Sequence, residues 1–140
     1  MATERRAASR NRNSAKRAGA KFEIDQAAHL REALDNAYIS RQDKNGGKDL
    51  GDIAYVGHQT AGVRGVPVIY ECKNTSSVSL TGATREAQTE AANYQEKFGG
   101  PDPIPVVCHK RHGVADPGKQ WITMEVDTFA RLLRLAEGSD

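Results

Sequence analysis

The stretch that most restricts the fold lies at residues 66–74, where Val66, Pro67, Val68, Ile69 and Tyr70 run directly into Glu71, Cys72 and Lys73. A short run rich in β-branched and aromatic residues, bounded by Gly65, predicts a buried strand. Side chains alternate along a strand, so Glu71 and Lys73 leave on one face and Cys72 on the other. An acid and a base at the end of an apolar strand are costly unless they are paired, solvated or bound to a metal. A second short strand is predicted over 51–56, opening on Asp52, which adds a carboxylate to the same pair.

The rest of the 140-residue chain allows one domain with a modest core. No apolar run approaches the roughly 20 residues that cross a bilayer, and the basic, polar start lacks the apolar centre of a signal peptide. An intracellular protein is expected, in a prokaryote or a phage-infected host. Cys72 and Cys108 each sit in an apolar run, where reduced, buried thiols are expected. The net charge of +2 hides an asymmetry. Arg5, Arg6, Arg10, Arg12, Lys16 and Arg17 face only Glu4 within residues 1–20, for +5, and the remainder sums to −3. Low hydrophobicity and absent periodicity leave residues 1–16 as a disordered basic arm, suited to neutralising phosphates without sequence preference. Residues 17–140 form the domain.

A helix is predicted over 17–36, with Phe22, Ala27, Leu30, Ala33 and Leu34 as its core stripe. Glu23 falls within that stripe and needs a cation, either Lys73 or a metal. A first edge strand is expected at 37–40, then a polar loop from Arg41 through Lys44 and Lys48, placed to meet phosphates. Residues 57–65 read as a long hairpin connection. A second helix over 81–98 carries Ala87, Ala91, Tyr94 and Phe98 inward, with Gln88 at the edge of the stripe, and stops at Gly99 and Gly100. Strands follow over 104–110 and 120–124, and Asp127 caps a last helix that turns Phe129, Leu132 and Leu133 inward. Trp121 and Tyr94 are read as core residues. The order is helix, three strands, helix, two strands, helix: an α/β protein with a mixed sheet flanked by helices.

Phosphodiester hydrolysis needs an in-line water, stabilised phosphoryl charge and help for the leaving oxygen, and Mg²⁺ supplies much of this. Mg²⁺ takes one or two carboxylates and keeps several waters, which Asp52 and Glu71 at neighbouring strand ends satisfy, with the Cys72 carbonyl as a further oxygen. Lys73 would orient or deprotonate the water and offset developing charge. Cys108, His109 and His112 do not make a zinc site, because consecutive strand residues face apart and no second pair completes the set.

These residues resemble the PD-(D/E)XK nuclease superfamily, and within it the Holliday-junction resolvases of archaea and their phage relatives. The matching positions are Glu23 on the first helix, Gly51, Asp52 and Ile53 on the second strand, Glu71, Cys72 and Lys73 on the third, and Gln88 on the next helix. Arg41 looks like the basic residue that often precedes the motif acid. The likeness covers roughly residues 17–125. It implies a restriction-endonuclease-like fold and a Mg²⁺-dependent (or Mn²⁺-dependent) endonuclease that nicks opposing strands of a four-way DNA junction as a homodimer. Glu23, Asp52, Glu71, Lys73 and Gln88 would be its catalytic residues and Asp52, Glu71 and Cys72 its metal ligands. Arg10, Arg12, Lys16, Arg17, Arg41, Lys44 and Lys48 are expected to meet DNA. Glycine precedes Asp52 where the family pattern has proline, and Asp49 is a second nearby acid, so spacing leaves open which aspartate binds metal. Asp52 is favoured because apolar strand residues follow it directly. The alternatives are a flap, end or duplex nuclease of the same superfamily and a DNA-binding module that does not cut.

Overall fold

The computed structural model describes residues 2–43, 47–57 and 65–138, with side chains from Arg12 onward. Helix α1 spans Ala2–Ala33, followed by strands β1 (Ser40–Arg41), β2 (Ile53–Ala54) and β3 (Val68–Lys73), helix α2 (Leu80–Phe98), strands β4 (Ile104–His109) and β5 (Trp121–Thr123), and helix α3 (Val126–Glu137). The strands form one sheet in the order β1-β2-β3-β4-β5. β3 and β4 are parallel, joined through α2, and the other neighbours are antiparallel. The protein is thus a mixed α/β fold with helices on both faces of the sheet.

Alternation along β3 and β4 sorts the sheet into two faces. Tyr70, Cys72, Val106 and Cys108 pack on one side with Phe22, Ala27 and Leu30 of α1 and with Leu132 and Leu135 of α3. Val107 meets Ala83 and Ala87 of α2 on the other. The first face is tied by a buried polar chain: the Tyr70 hydroxyl donates to Gln26 Oε1 at 2.8 Å, and Gln26 Nε2 donates to the Pro117 carbonyl at 2.9 Å. No helix among the described residues is long and apolar enough to cross a membrane.

Several sequence expectations are corrected. α1 begins at Ala2, not near Arg17, and takes in the segment expected as a disordered arm. Residues 2–16 hold neither proline nor glycine, and alanine and arginine are strong helix formers that need no apolar stripe. β1 lies at Ser40–Arg41, because Asn36 Oδ1 accepts the Tyr38 amide and turns the chain where the strand was expected. Residues 58–64 of the hairpin connection lie outside the described residues. α3 is preceded by Glu125 as its cap residue, with Asp127 in its first turn. Leu34, Phe98, Phe129, Leu133 and Trp121 are exposed, not core. Burial on α3 centres on Leu132 and Leu135, which leaves Phe129 and Leu133 half outside.

Candidate active site

Glu71 leaves β3 on the α2 face and is buried. β2 begins at its side: Ile53 pairs with Tyr70, and the Asp52 amide donates to the Tyr70 carbonyl at 3.0 Å. Continuing that antiparallel register sets Asp52 opposite Glu71. Gly51, before it, has φ +99, and a Cβ there would stand 3.1 Å from the Ile69 side chain. A proline, with φ fixed near −65°, cannot make this turn, which accounts for the glycine.

Asp52 is buried, and its Oδ2 accepts the Cys72 amide at 2.8 Å. A strand residue's N–H and C=O point to the same side, so the Cys72 carbonyl is also turned towards Asp52. The Cys72 thiol goes the other way, into the core beside α1; burial, then the nearby Cys108 and acids, hold it far above the ordinary thiol range. Asp49 takes a different part. Its Oδ1 accepts the Gly51 amide at 3.0 Å, and its carbonyl accepts from Asn93 of α2. Of the two aspartates, Asp52 is the one packed into the site.

α2 brings two acids that the sequence reading passed over. Glu86 and Glu90 stand one turn apart on its sheet-facing side, next to Ala83 and Ala87. One carboxylate oxygen each from Glu71, Glu86 and Glu90 lie within 4.8 Å of one another. The buried Oε2 atoms of Glu71 and Glu90 have no hydrogen-bond partner. Burial first, then the Glu90 and Asp52 carboxyls, push Glu71 far above the ordinary carboxylate range. Glu90 rises to about 7, mainly through burial, with the charges of Asp49, Asp52 and Glu86 adding and a hydrogen bond with Glu71 opposing.

Lys73 is the cation of this cluster, with Nζ 2.6 Å from Glu86 Oε2 and 3.8 Å from Glu71 Oε1. Burial works against its charge, but the Glu86 and Glu71 carboxylates outweigh it, and Lys73 ends above the ordinary lysine value. Its ammonium thus offsets the negative charge of the neighbouring carboxylates. Glu86 and Glu71 contact this ammonium, and Asp52 adds its charge from further off. Oxygen-only donors, two of them buried and unanswered, suit a hard divalent cation, with Glu71, Glu86 and Glu90 as the residues that could hold it and Asp52 beside them on the Cys72 amide.

Two expected members stand elsewhere. Glu23 is tied to Arg41, with Oε2 2.7 Å from a guanidinium nitrogen, while Lys73 is engaged by Glu86. α1 and α2 cover opposite faces, so Glu23 meets the β1 edge and not the carboxylate cluster. Gln88 donates to Glu125 at the start of α3. Two residues along a helix is about 200°, so Gln88 turns away from the side that Glu86 and Glu90 share.

Of the residues expected to meet phosphates, Lys16, Arg17 and Arg41 line one open groove of about 800 Å³ with Glu23. Arg12 is exposed one turn earlier on α1. Lys48 pairs with Glu96 of α2 at 2.7 Å and borders a cavity of about 480 Å³ with Asn93 and Lys97. Lys44 and the side chain of Arg10 lie outside the described residues. Sequence pattern alone could have flagged Glu90, which falls between Ala87 and Ala91 on an otherwise apolar stripe. Compared with protein-family models, with characterised proteins and with solved structures, the chain has no significant match in any of the three.

Proposed function

We propose that the protein is a Mg²⁺-dependent, structure-selective DNA endonuclease of the PD-(D/E)XK type, with a four-way junction as its preferred substrate. The observation that carries this reading is the packing of the buried Asp52, Glu71 and Glu90 carboxyls beside the surface Glu86–Lys73 pair, with one oxygen each of Glu71 and Glu90 unanswered. Such a cluster is costly in a protein that does nothing with it, and a divalent cation removes the cost. The helix, three strands, helix, strand order, with β3 and β4 parallel, is compatible with a restriction-endonuclease-like core.

When bound, the cation supplies Lewis acidity and an activated water for attack on phosphorus. The chain's own groups do the rest. Glu71, Glu86 and Glu90 would hold the cation at the strand ends, and Asp52, fixed by the Cys72 amide, keeps β2 and β3 in place beside them. The Lys73 ammonium lies beside them and stabilises charge that builds on the phosphoryl oxygens. Lys16 and Arg17, in the groove that also holds the Arg41–Glu23 pair, offer counter-charge to the DNA backbone away from the cut. Junction preference and a homodimer that presents two such sites rest on the family likeness.

The test incubates the protein with a four-way junction, a flap and a linear duplex, in Mg²⁺ or in chelator, beside Lys73→Ala. Paired nicks in the junction alone are expected, absent in chelator and in the variant. Equal cutting of all three substrates would remove the junction preference. Binding without cutting in Mg²⁺ would leave a DNA-binding module.

A further inference from the structure

The basic run after β4 and the lone tryptophan have no part in the carboxylate cluster, yet the sheet register places them in line with it. Lys73 of β3 is opposite His109 of β4, and His109 is opposite Trp121 of β5. Residues in register on neighbouring strands send their side chains to the same face. Lys73, His109 and Trp121 therefore form one row across three strands, on the face that carries Glu71.

We propose that this row is a track for one DNA strand leaving the scissile phosphate, and that Trp121 with Arg111 is a platform on which an unpaired base stacks. The proposal rests on the nuclease reading and adds a binding site to it. Neighbouring strands are about 4.8 Å apart, which puts Trp121 about 10 Å from Lys73. That is roughly three stacked bases at 3.4 Å each.

The chemistry along the row suits a nucleotide strand. Trp121 is 53% exposed on the edge strand, so the face of its large ring is open to a ligand. The Arg111 guanidinium lies over it, 4.2 Å from the ring centroid, and is held there by a hydrogen bond from Nη1 to the Lys119 carbonyl. Arg111 makes no ion pair among the described residues, so its charge is available to a phosphate or to the face of a base. Aromatic rings and guanidinium planes are the two surfaces on which proteins stack splayed-out bases. His109 is pinned by a 2.7 Å contact between Nε2 and Thr123 Oγ1, which keeps the middle of the row in place. Beside Thr123 a cleft of about 370 Å³ opens against Leu80, Thr84 and Arg85 of α2 and Glu125, adding room at the end of the row. Lys110 is not part of the track, since its ammonium donates to the Arg111 and Val114 carbonyls and instead shapes the turn that carries Arg111.

Trp121 is the single tryptophan in the chain, so its fluorescence reports on this site alone. The experiment titrates the full chain, in chelator to prevent cutting, with a four-way junction carrying a fluorescent label and with a labelled 12-nucleotide single strand. DNA anisotropy and tryptophan emission are followed together. Expected are saturable quenching that tracks binding, a roughly 5- to 150-fold weaker affinity for Trp121→Ala, and near-native affinity for Trp121→Phe. Arg111→Ala should lower the slope of log affinity against log salt by about one contact. Circular dichroism of each variant checks folding. Binding with unchanged tryptophan emission, or Trp121→Ala binding as tightly as the parent, overturns the platform and leaves the nuclease reading intact. Emission that changes with protein concentration in the absence of DNA, together with altered sedimentation but unaltered DNA affinity in Trp121→Ala, overturns it in favour of a protein interface. No DNA binding by any form overturns both readings.

Discussion

On the α1 side of the sheet, buried polar atoms find each other: Tyr70 meets Gln26, and Gln26 meets the Pro117 carbonyl, inside a shell of Phe22, Ala27, Val106 and Cys108. On the α2 side, a thin apolar contact of Ala83, Ala87 and Val107 lies next to Glu71 and Glu90, each with a buried oxygen left unanswered. The same β3 strand supplies both sides through alternate residues. One face is therefore built for stability, and the other holds acids whose charge is unfavourable until a proton or a cation offsets it. Satisfied buried networks rigidify a core, whereas incompletely satisfied ones mark strain or function.

The difference can be broken most forcefully at Phe22. Phe22→Ala should cost about 3–5 kcal/mol in urea unfolding through lost burial and a cavity, while nicking per folded molecule stays near the parent value. Glu71→Gln should do the reverse. It removes a buried ionisable group, so in chelator at pH 8 stability should rise by roughly 1–3 kcal/mol, and nicking should be lost. A fall in stability on that substitution would mean that the cluster is a structural network.

Acidity sharpens the contrast further. Burial holds the neighbouring Glu71 and Glu90 carboxyls above the ordinary 4.5 in the folded protein. The folded state thus holds more protons than the unfolded one above pH 4.5, and stability falls as pH rises. It is full below that pH and lost as pH climbs through the raised folded-state values. Thermal melts in chelator should therefore drop between pH 5 and pH 8. Mg²⁺ or Mn²⁺ should restore stability most at the upper end, where the carboxylates are ionised, and equal restoration at pH 5 would count against a carboxylate-held cation. The smallest effect belongs to the periphery. Lys48→Ala removes an exposed pair with Glu96 and should change stability by less than about 1 kcal/mol.

The strand and helix order was legible because β3 and β4 are apolar runs and α2 carries a helical apolar stripe, all bounded by glycine, proline or polar turns, and their observed limits fall close to the expected ones. Asp52, Glu71 and Lys73 could be grouped because alternation and antiparallel pairing are local rules. Glu86 and Glu90 were missed because a search for core positions counts apolar residues, and an acid on a helix is ordinarily a solvated one. The partners of Glu23 and Gln88 depend on how α1 and α2 are rotated against the sheet, a tertiary property that no single helix pattern contains. Trp121 was misassigned for a similar reason: strand propensity says that it lies in a sheet, but not that the sheet ends there.

Cys72 connects the two faces. Its side chain belongs to the core under α1, and its amide holds Asp52 in the carboxylate cluster. The contact to Asp52 is made by backbone, so the identity of residue 72 is set by the packing of the core and not by the chemistry of the site. A position in the middle of the motif is then the one most open to exchange among small apolar residues. A poor choice there acts at a distance: a side chain too large for the core would lever the strand and shift Asp52 without touching any of the carboxylates.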